Sequence, residues 1–456
     1  MIVYKAMRTR ACAQKRNCTM AKNYFINTYG CQMNVHESEK IAGILSELGY
    51  KSCGCMEDAD IVVFNTCCIR ENAENHAYGN IGMLKKLKAN KRDMIIAVGG
   101  CLTQQMNKAG DLHEKFPYVD IIFGTHNLNK LKDYIEEKRR RKKAVIEIEE
   151  CDGKITEGDK PLRTSFPNAW VNITYGCNNF CSYCIVPYVR GRERSRKSEN
   201  IIDEVKGLIT EGYKEITLLG QNVNSYGNGG ADIPFYELLE RVANLDGDFR
   251  LRFMTSHPKD FSEELAKVIA VNRKICHCVH LPVQSGSDTV LSAMNRKYTS
   301  ADYLKKVEIL RKYVPDCAIT TDIIVGFPGE TDKDFNDTLE LVRKVDFASA
   351  FTFVYSKREG TVAAKMENQI PEDICKKRIM ELVELVNSQT RKHSAKFVGQ
   401  TVEVLCEDYD IKRGMYLGRS EHGRMVYFKS ETDKKGQFVN VKIDEANGIS
   451  LIGRIV

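Results

Sequence analysis

Cys177, Cys181 and Cys184 lie close together in the segment GCNNFCSYC at residues 176–184. Three thiolates on one short loop can hold a single metal centre. A cubane iron–sulfur cluster held by only three thiolates keeps one iron open to a small ligand. A structural zinc site takes four ligands, and residues 185–256 contain no further cysteine or histidine. The spacing therefore favours an open 4Fe-4S cluster, with a zinc loop completed from elsewhere in the chain as the alternative.

Three further cysteines, Cys31, Cys67 and Cys101, each follow a short apolar run that predicts a β-strand. Those runs are residues 24–27, 61–64 and 94–98. Helical patterns between the runs predict a parallel sheet with helices on both faces, and in such sheets functional groups gather beyond the carboxyl ends of the strands. The three thiolates could therefore meet at one sheet edge. Scattered cysteines that only fill the core are the alternative.

Length and composition limit the class of protein. The chain has 456 residues, of which 43% are hydrophobic and 28% charged, and its net charge is +7. This is ordinary globular composition, and it excludes collagen-like and fully disordered chains. We find no apolar run of about 18 residues that would span a membrane, and residues 1–20 lack the apolar core of a signal peptide. We therefore expect a cytoplasmic protein in which clustered cysteines act as metal or redox ligands.

The elements that must position the cysteines fall into three regions, and the chain is expected to be α/β. Residues 23–140 predict a Rossmann-like parallel sheet domain. Six strand–helix units within residues 166–392 predict a partial (β/α)6 barrel, with its chemistry on the loops after the strands. Glycine-punctuated β-branched segments in residues 393–456 predict a small antiparallel β-barrel. Residues 1–22 are expected to be a flexible extension and residues 141–165 a linker.

The loop of Cys177, Cys181 and Cys184, with aromatic Tyr183 before its last cysteine, resembles the signature of the radical S-adenosylmethionine (SAM) superfamily. The resemblance implies that SAM chelates the open iron and is cleaved to a 5′-deoxyadenosyl radical. Other segments resemble the methylthiotransferase family within that superfamily, and the resemblance covers about residues 23–456. These segments are TYGCQMN at 28–34, NTCCIRE at 65–71, GGC at 99–101, VPYVRG at 186–191 and HLPVQSGS at 280–287.

Two segments, CCIRENAE at 67–74 and LGQNVNSY at 219–226, resemble the branch of this family that acts on dimethylallyladenosine in tRNA. The resemblance implies transfer of a methylthio group to carbon 2 of N(6)-dimethylallyladenosine at position 37 of the anticodon loop. It implies two SAM molecules, one as methyl donor and one as radical source. It also implies three partners: the tRNA, an electron donor such as flavodoxin or ferredoxin, and a sulfur donor.

Two other functions stay open at this point. The first is a methylthiotransferase that acts on threonylcarbamoyladenosine in tRNA or on a ribosomal protein. The second belongs to a different class, a zinc-stabilised RNA-binding protein without catalysis.

By the same resemblance, Cys31, Cys67 and Cys101 hold a second, auxiliary 4Fe-4S cluster. Cys68 adjoins Cys67, and the family pattern Asn-Thr-Cys indicates Cys67 as the ligand. The chain has 17 cysteines in all, and we expect the other eleven to be bystanders. These are Cys12, Cys18, Cys53, Cys55, Cys68, Cys151, Cys276, Cys278, Cys317, Cys375 and Cys406.

Contacts to SAM are expected from Tyr183 and from two glycine-containing stretches. Gly220, Gln221 and Asn222 stand where radical SAM proteins usually have Gly-Gly-Glu, and an amide there gives no charge-assisted bond to the SAM amino group. Gly326 and Gly329, in the segment GFPGE, resemble a later glycine-rich stretch of the superfamily. These two glycines fit a SAM pocket and a structural turn equally well.

The basic segment RGRERSRK at residues 190–197 directly follows the cysteine loop and predicts phosphate contacts, with a charged helix start as the alternative. The C-terminal barrel resembles the TRAM domain, a small RNA-binding fold. Charged and aromatic side chains of both regions are candidates for RNA contact. The candidates are Arg190, Arg192 and Arg194, then Arg413, Arg419 and Arg424, with Tyr416, Tyr427 and Phe428 as stacking faces. The run KRRRKK at 138–143 fits a solvated linker or helix end, with a phosphate-contacting arm as the alternative.

Overall fold

The computed structural model describes residues 22–68, 71–150, 155, 157–158, 160–228 and 232–456. Backbone packing divides the chain into two compact units. The first takes in Met1–Thr164 and Ile185–Arg192, and the second takes in Ser165–Cys184 and Glu193–Val456, as far as these ranges are described. The short excursion at Ile185–Arg192 interrupts the continuous stretch 166–392 that the sequence predicted as one domain. The predicted extension at residues 1–22 lies outside the described residues, Lys22 excepted.

The first unit contains one six-stranded sheet in which every pair of neighbouring strands is parallel. Its strands are β1 (Asn23–Thr28), β2 (Lys51–Ser52), β3 (Ile61–Thr66), β4 (Ile95–Gly100), β5 (Ile121–Phe123) and β6 (Val145–Glu147). The spatial order is β2-β1-β3-β4-β5-β6, so the order reverses between β1 and β3. Ligands in doubly wound sheets bind beyond the carboxyl ends of the strands at this reversal.

Apolar residues on both faces of the sheet explain why its central strands read as continuous hydrophobic runs. Every residue of β3 and β4 is buried. Ile61 and Val63 pack into the core on one face, whereas Val62 and Phe64 pack into the core on the other. The helices of this unit are α1 (Gln32–Glu47), α2 (Glu71–Asn90), α3 (Lys108–Lys115), α4 (Leu131–Arg141) and α5 (Val186–Arg190). The predicted doubly wound parallel domain is confirmed.

Part of the segment predicted as a linker is regular structure. Strand β6 pairs with β5 as the edge of the sheet. The basic run of residues 138–143 begins inside helix α4, where the Lys138 ammonium lies 2.7 Å from a carboxylate oxygen of buried Asp120. Lys88 contacts the same carboxylate from α2 at 2.6 Å. The paired Lys138 supports the helix-end interpretation of the basic run over a phosphate-contacting arm.

The second unit begins with six parallel strands in two three-stranded sheets, β11-β10-β7 and β12-β13-β14. A parallel bridge between Leu251 and Ile275 connects the two sheets beside β11 and β12. Its strands are β7 (Asn168–Asn172), β8 (Thr174–Tyr175), β9 (Arg194–Ser195), β10 (Glu215–Leu219), β11 (Arg250–Phe253), β12 (Cys278–His280), β13 (Ala318–Val325) and β14 (Ser349–Val354). Strands β8 and β9 form a separate antiparallel pair. The predicted partial barrel of six strand–helix units is confirmed.

Helices pack the outside of this partial barrel around one continuous apolar core. They are α6 (Ser198–Thr210), α7 (Phe235–Ala243), α8 (Glu263–Val271), α9 (Asp288–Ala293), α10 (Ser300–Tyr313), α11 (Asp332–Val345) and α12 (Glu372–Ala395). Thr299 and Thr331 form capping boxes at the starts of α10 and α11, which satisfies the first free amides of both helices. None of the described helices is long and apolar enough to cross a membrane.

The C-terminal strands close into a barrel in the order β15-β16-β17-β19-β18. They are β15 (Thr401–Asp410), β16 (Met415–Ser420), β17 (Met425–Lys429), β18 (Phe438–Asn447) and β19 (Ser450–Ile455). The predicted small barrel is confirmed, but the prediction that it is wholly antiparallel is wrong, because β17 and β19 run parallel. Strand directions cannot alternate all the way around a closed ring with an odd number of strands, so at least one pair must be parallel.

Candidate functional site

Three cysteines of the first unit follow three strands that are neighbours in its sheet. Cys31 follows β1 through Gly30 and is the N-cap of α1, Cys67 directly follows β3, and Cys101 directly follows β4. This places the three thiols beyond the carboxyl ends of β1, β3 and β4, beside the reversal of strand order. The sheet therefore brings together the residues that the sequence predicted as ligands of an auxiliary cluster.

Close backbone packing fixes the loops that carry these thiols. Gly30 has φ +117°, and a Cβ added to it would lie 2.7 Å from the Cβ of Cys67, so only glycine fits between the two loops. The Asn34 amide donates to the carbonyl oxygens of Tyr29 and Thr66, at 2.8 and 3.0 Å. These contacts tie the loop after β1 to the loop after β3.

A buried arginine faces the same cysteines. The Arg190 guanidinium from α5 is 5% exposed and donates to both carboxylate oxygens of Glu37, at 2.5 and 3.1 Å. It also donates to the Asn34 side-chain oxygen at 3.2 Å. Its positive charge acts on Cys31 and Cys101. This position does not favour the RNA contact predicted for Arg190, because a buried, ion-paired guanidinium has no free face for phosphate.

The electrostatic surroundings divide the thiols. A hydrogen bond with Cys68 lowers the pKa of Cys101 to about 7, and Arg190 shifts it the same way, in spite of burial. Burial raises the pKa of Cys31, while Arg190 acts in the opposite direction. Thiolates, not thiols, bind metals. A buried cation beside three thiols therefore fits an anionic iron–sulfur cluster at this edge.

Cys67 and Cys68 lie in different surroundings, although they are adjacent in sequence. Cys67 abuts Gly30, the residue directly before Cys31. Cys68 packs in a small apolar cluster with Cys101, Ile185 and Val189. The contact with the Cys31 loop supports Cys67 as the ligand, as the Asn-Thr-Cys pattern indicated.

In the second unit, the loop of Cys177, Cys181 and Cys184 follows β8 and is held by the segment after α9. The Ser182 amide donates to the Met294 carbonyl oxygen at 3.0 Å, and the Asn295 amide side chain donates to the Phe180 carbonyl oxygen at 2.9 Å. Burial raises the pKa of Cys177. The cysteines therefore sit on a fixed loop at the carboxyl end of the first barrel strands, as predicted.

Arg296 lies beside this loop and was not identified from the sequence. Its side chain is 5% exposed and donates to the Cys181 sulfur at 3.4 Å. Tyr298 accepts from its Nε at 2.9 Å, and the Pro282 carbonyl accepts from Nη2 at 2.8 Å. Tyr183 is also near, since its hydroxyl lies 3.5 Å from Nη1 of Arg296. A cation that donates to a ligand sulfur would stabilise negative charge on a bound cluster.

Buried polar atoms without a partner cluster at the carboxyl ends of the barrel strands. Among the described residues, no hydrogen-bond partner faces the buried hydroxyls of Thr174, Thr217 and Ser256, the Asn224 amide or the Nε2 atom of His257. Unsatisfied buried polar groups are costly and usually mark a missing partner. SAM carries an amine, a carboxylate, ribose hydroxyls and an adenine, and these groups would satisfy such atoms. The residues present therefore fit SAM beside the Cys177 loop.

The side chains predicted to contact SAM divide between that pocket and plain turns. A Cβ on Gly220 would lie 2.2 Å from the unpartnered Thr174 hydroxyl, which places Gly220 against the pocket. Asn222 is buried and donates to Asp260 at 2.7 Å, and Gln221 is half-buried. Gly326 and Gly329 have φ of +71° and +82°.

Those two positive φ values favour the structural turn. The Gly326 amide donates to the Glu330 carboxylate at 2.7 Å, and the Gly329 amide donates to the Asn368 carbonyl at 2.7 Å. Arg378 donates to the same Glu330 carboxylate at 2.8 Å. The backbone conformation and these bonds account for both glycines without a cofactor.

The candidate RNA contacts differ in exposure. Arg413 stacks over Tyr427, with its guanidinium carbon 4.3 Å from the ring centroid. Arg192 is exposed and Arg194 is half-buried in β9. Arg419 is half-buried and donates to Glu407 at 3.1 Å.

Two of the barrel candidates are poorly placed for RNA. Arg424 is buried and donates to the Ala348 carbonyl at 2.9 Å, and Phe428 is fully buried. Tyr416 stacks on Phe428 at 6.0 Å between ring centroids and stays half-buried. These positions favour Arg413, Tyr416 and Tyr427 as the RNA-facing side chains of the barrel over Arg424 and Phe428.

Three family comparisons cover most of the chain. The radical SAM superfamily matches residues 171–342, the Uncharacterized protein family UPF0004 matches residues 23–124, and the TRAM domain matches residues 395–456. Among solved structures, the radical SAM methyltransferase TsrM from Kitasatospora setae, with cobalamin and a 4Fe-4S cluster bound, aligns with a TM-score of 0.55. That alignment has 15% identity and covers 76% of this chain and 77% of TsrM, so it shows a shared fold.

Curated relatives are far more similar. A tRNA-2-methylthio-N(6)-dimethylallyladenosine synthase from Clostridium novyi (strain NT) is 52% identical over 95% of this chain and 97% of its own length. A protein of the same name from Caldicellulosiruptor saccharolyticus is 51% identical over 95% of this chain and 93% of its own length. The resemblance indicated by the motifs is confirmed, and with it the radical SAM cofactors, SAM and 4Fe-4S clusters. The chain belongs to the tRNA-2-methylthio-N(6)-dimethylallyladenosine synthase family of radical SAM methylthiotransferases.

Proposed function

We propose that this protein transfers a methylthio group to carbon 2 of N(6)-dimethylallyladenosine at position 37 of the tRNA anticodon loop, with two SAM molecules. The observation that carries the proposal is the placement of two three-cysteine sets, each on loops beyond the carboxyl ends of parallel strands, in a chain 52% identical to synthases of that name. When bound, the two clusters and SAM supply the sulfur and the one-electron chemistry that an unactivated carbon–hydrogen bond requires.

The chain's own residues hold and orient those groups. Cys177, Cys181 and Cys184 are the proposed ligands of the SAM-binding cluster, and Arg296 positions Cys181. The unpartnered polar atoms at the carboxyl ends of the strands, together with Gly220, are the proposed surroundings of SAM. Burial of these atoms excludes water from the space where a reactive radical must be protected.

Cys31, Cys67 and Cys101 are the proposed ligands of the auxiliary cluster. Arg190 offsets the negative charge that three thiolates would bring to a buried edge of the sheet. Its bidentate pair with Glu37 keeps the guanidinium in place without a contact to solvent. We assign residues 23–140 to this role, residues 166–392 to SAM chemistry and residues 393–456 to RNA binding.

The tRNA is proposed to meet exposed and half-buried side chains of the C-terminal barrel. Tyr409 is 42% exposed and packs edge-on against Tyr416, with ring centroids 4.9 Å apart. Arg413 over Tyr427 adds a cation to this aromatic surface. Unstacked bases of an anticodon loop stack well on such aromatic and guanidinium faces.

The reaction as proposed also needs a one-electron donor, such as flavodoxin or ferredoxin, and a sulfur donor. A cytoplasmic location follows from a tRNA substrate and from these partners. Reconstitution with reduced flavodoxin in place of dithionite tests the first requirement. SAM cleavage that proceeds with dithionite but not with flavodoxin would argue against that donor.

Nucleoside mass spectrometry of tRNA from a deletion strain tests the activity. The strain should lose 2-methylthio-dimethylallyladenosine, and the wild-type gene should restore it. Genes carrying Cys177→Ala or Cys67→Ala should not restore it, whereas Cys68→Ala is the matched control beside Cys67 and should.

Loss of the methylthio group from the threonylcarbamoyl nucleoside alone, or from a ribosomal protein, would reject the proposed substrate. Retention of zinc in place of iron, with no SAM cleavage by dithionite, would reject catalysis altogether.

A further inference from the structure

His277, Asp316 and His422 come together from three distant parts of the second unit. His277 directly precedes β12, Asp316 lies in the turn before β13, and His422 lies in the turn between β16 and β17 of the C-terminal barrel. The His277 Nδ1 atom lies 2.9 Å from Oδ1 of Asp316, and the His422 Nε2 atom lies 3.1 Å from Oδ2. One donor atom from each residue lies within 4.8 Å of the other two.

These distances match a small divalent cation. Zinc binds imidazole nitrogen and carboxylate oxygen at roughly 2.0–2.2 Å, which places the donor atoms of a tetrahedral site roughly 3.3 Å apart. The nitrogen–oxygen distances here are a few tenths of an ångström shorter, so a small outward shift of the Asp316 carboxylate would admit the ion. Two imidazoles and a carboxylate are a common zinc ligand set.

The surroundings hold the donors in place and leave an entrance. The His422 ring packs against Phe397 at 5.5 Å between centroids, and its second nitrogen lies 4.0 Å from a Glu421 carboxylate oxygen. A carboxylate on the second ring nitrogen is the usual partner of a metal-bound histidine. The Asp316 side chain is 55% exposed, so an ion can enter and a water can take the fourth position.

The turn that carries His422 is independently fixed to the partial barrel. Arg252 of β11 donates to the carbonyl oxygens of Ser420 and Glu421, at 2.6 and 2.9 Å. A Cβ on Gly423 would lie 3.1 Å from the Cys278 sulfur, so the turn sits directly against β12. Because both contacts place His422 in front of His277 and Asp316, the donor set is preformed and binding an ion orders little additional chain.

We propose that His277, Asp316 and His422 form a zinc site that joins the C-terminal barrel to the amino ends of β12 and β13. The cysteine loop lies at the opposite, carboxyl ends of the barrel strands, so the site takes no part in the radical chemistry. It fixes the position of the RNA-binding barrel against the partial barrel. Cys276 and Cys278, which flank His277, are not part of the donor set.

Zinc content of the anaerobically reconstituted holoenzyme tests the proposal. Wild-type protein equilibrated with zinc and desalted should retain one zinc per chain beside about eight irons for two cubanes. Asp316→Asn and His422→Gln should retain the iron and lose the zinc. His393→Gln is the matched control, because His393 contacts Asp346 at 3.1 Å and no second histidine joins that pair in the described chain.

Hydrogen exchange of the β16–β17 turn gives a second measurement. At a zinc concentration about 100-fold above the dissociation constant, exchange in the wild type should slow roughly 100-fold, with no change in His422→Gln. The proposal is overturned if wild type and Asp316→Asn retain equal zinc, or if a zinc-edge anomalous map of wild-type crystals shows no peak between the three side chains. Asp316 would then be a hydrogen-bonded bridge between two imidazoles.

Discussion

Replacement of Arg190 by methionine should destabilise the first unit by about 3–5 kcal/mol. Methionine keeps most of the side-chain volume and removes the charge. The Glu37 carboxylate, now paired at 2.5 and 3.1 Å, would remain in a buried site with no cation. Removing one partner of a buried ion pair costs about 3–5 kcal/mol, because the other charge stays desolvated and uncompensated.

Hydrogen exchange of amides in β3 and β4 measures this change, because these fully buried strands exchange only when the unit opens. A loss of about 3–5 kcal/mol makes their exchange roughly two to four powers of ten faster. Arg192→Met, two residues away and exposed, is the matched control and should change exchange by less than about tenfold. Iron analysis of each variant confirms that cluster content is equal.

A double-mutant cycle decides whether the pair itself is responsible. Glu37→Gln alone should also destabilise the unit, and the double variant should be much more stable than the sum of the two single changes predicts. Strictly additive effects, or an Arg190→Met variant within about 1 kcal/mol of wild type, would refute the ion-pair argument.

Three further changes follow from the same kind of contact. Arg296→Met removes a donor 3.4 Å from the Cys181 sulfur, so the reduction potential of the SAM-binding cluster should fall by on the order of tens of millivolts in an EPR-monitored titration. Gly99→Ala places a Cβ 2.2 Å from the Phe123 ring and should destabilise the first unit by about 1–3 kcal/mol, measured by hydrogen exchange. Burial, with Arg296 adding to it, lowers the pKa of His257 to about 2 from 6.5, so the folded state stays neutral while the unfolded state gains a proton below pH 6.5. Stability should therefore fall by about 1.4 kcal/mol per pH unit below 6.5 and be flat above it, and His257→Gln should remove this slope in exchange measurements from pH 5 to 7.

Each of these has a matched control. Lys297→Met changes an exposed neighbour of Arg296 and should leave the reduction potential in place. Gly79→Ala lies in α2 with no atom within 4 Å of its new Cβ, and should stabilise the helix by about 1 kcal/mol. An unchanged potential in Arg296→Met, wild-type exchange in Gly99→Ala, or an unchanged pH slope in His257→Gln would each contradict the contact that it tests.

Long buried strands could be predicted from the sequence, whereas the shortest ones could not. The run predicted at 215–219 coincides with β10, and that at 121–123 coincides with β5. Strands β2, β6, β8 and β9 have two or three residues each, too few to show a period, and only their pairing partners define them.

The sequence by itself determined the two cysteine triples and the three-region organisation, because these depend on local spacing and on apolar runs. Tertiary structure decided what the other charged side chains do. Arg190, predicted to contact RNA, instead pairs with a glutamate 153 residues away, and Arg296 contacts a cysteine 115 residues away. His422 meets Asp316 across 106 residues. No local pattern encodes such contacts, because the free energy of burying a charge or joining metal ligands depends on which distant groups the fold brings beside them.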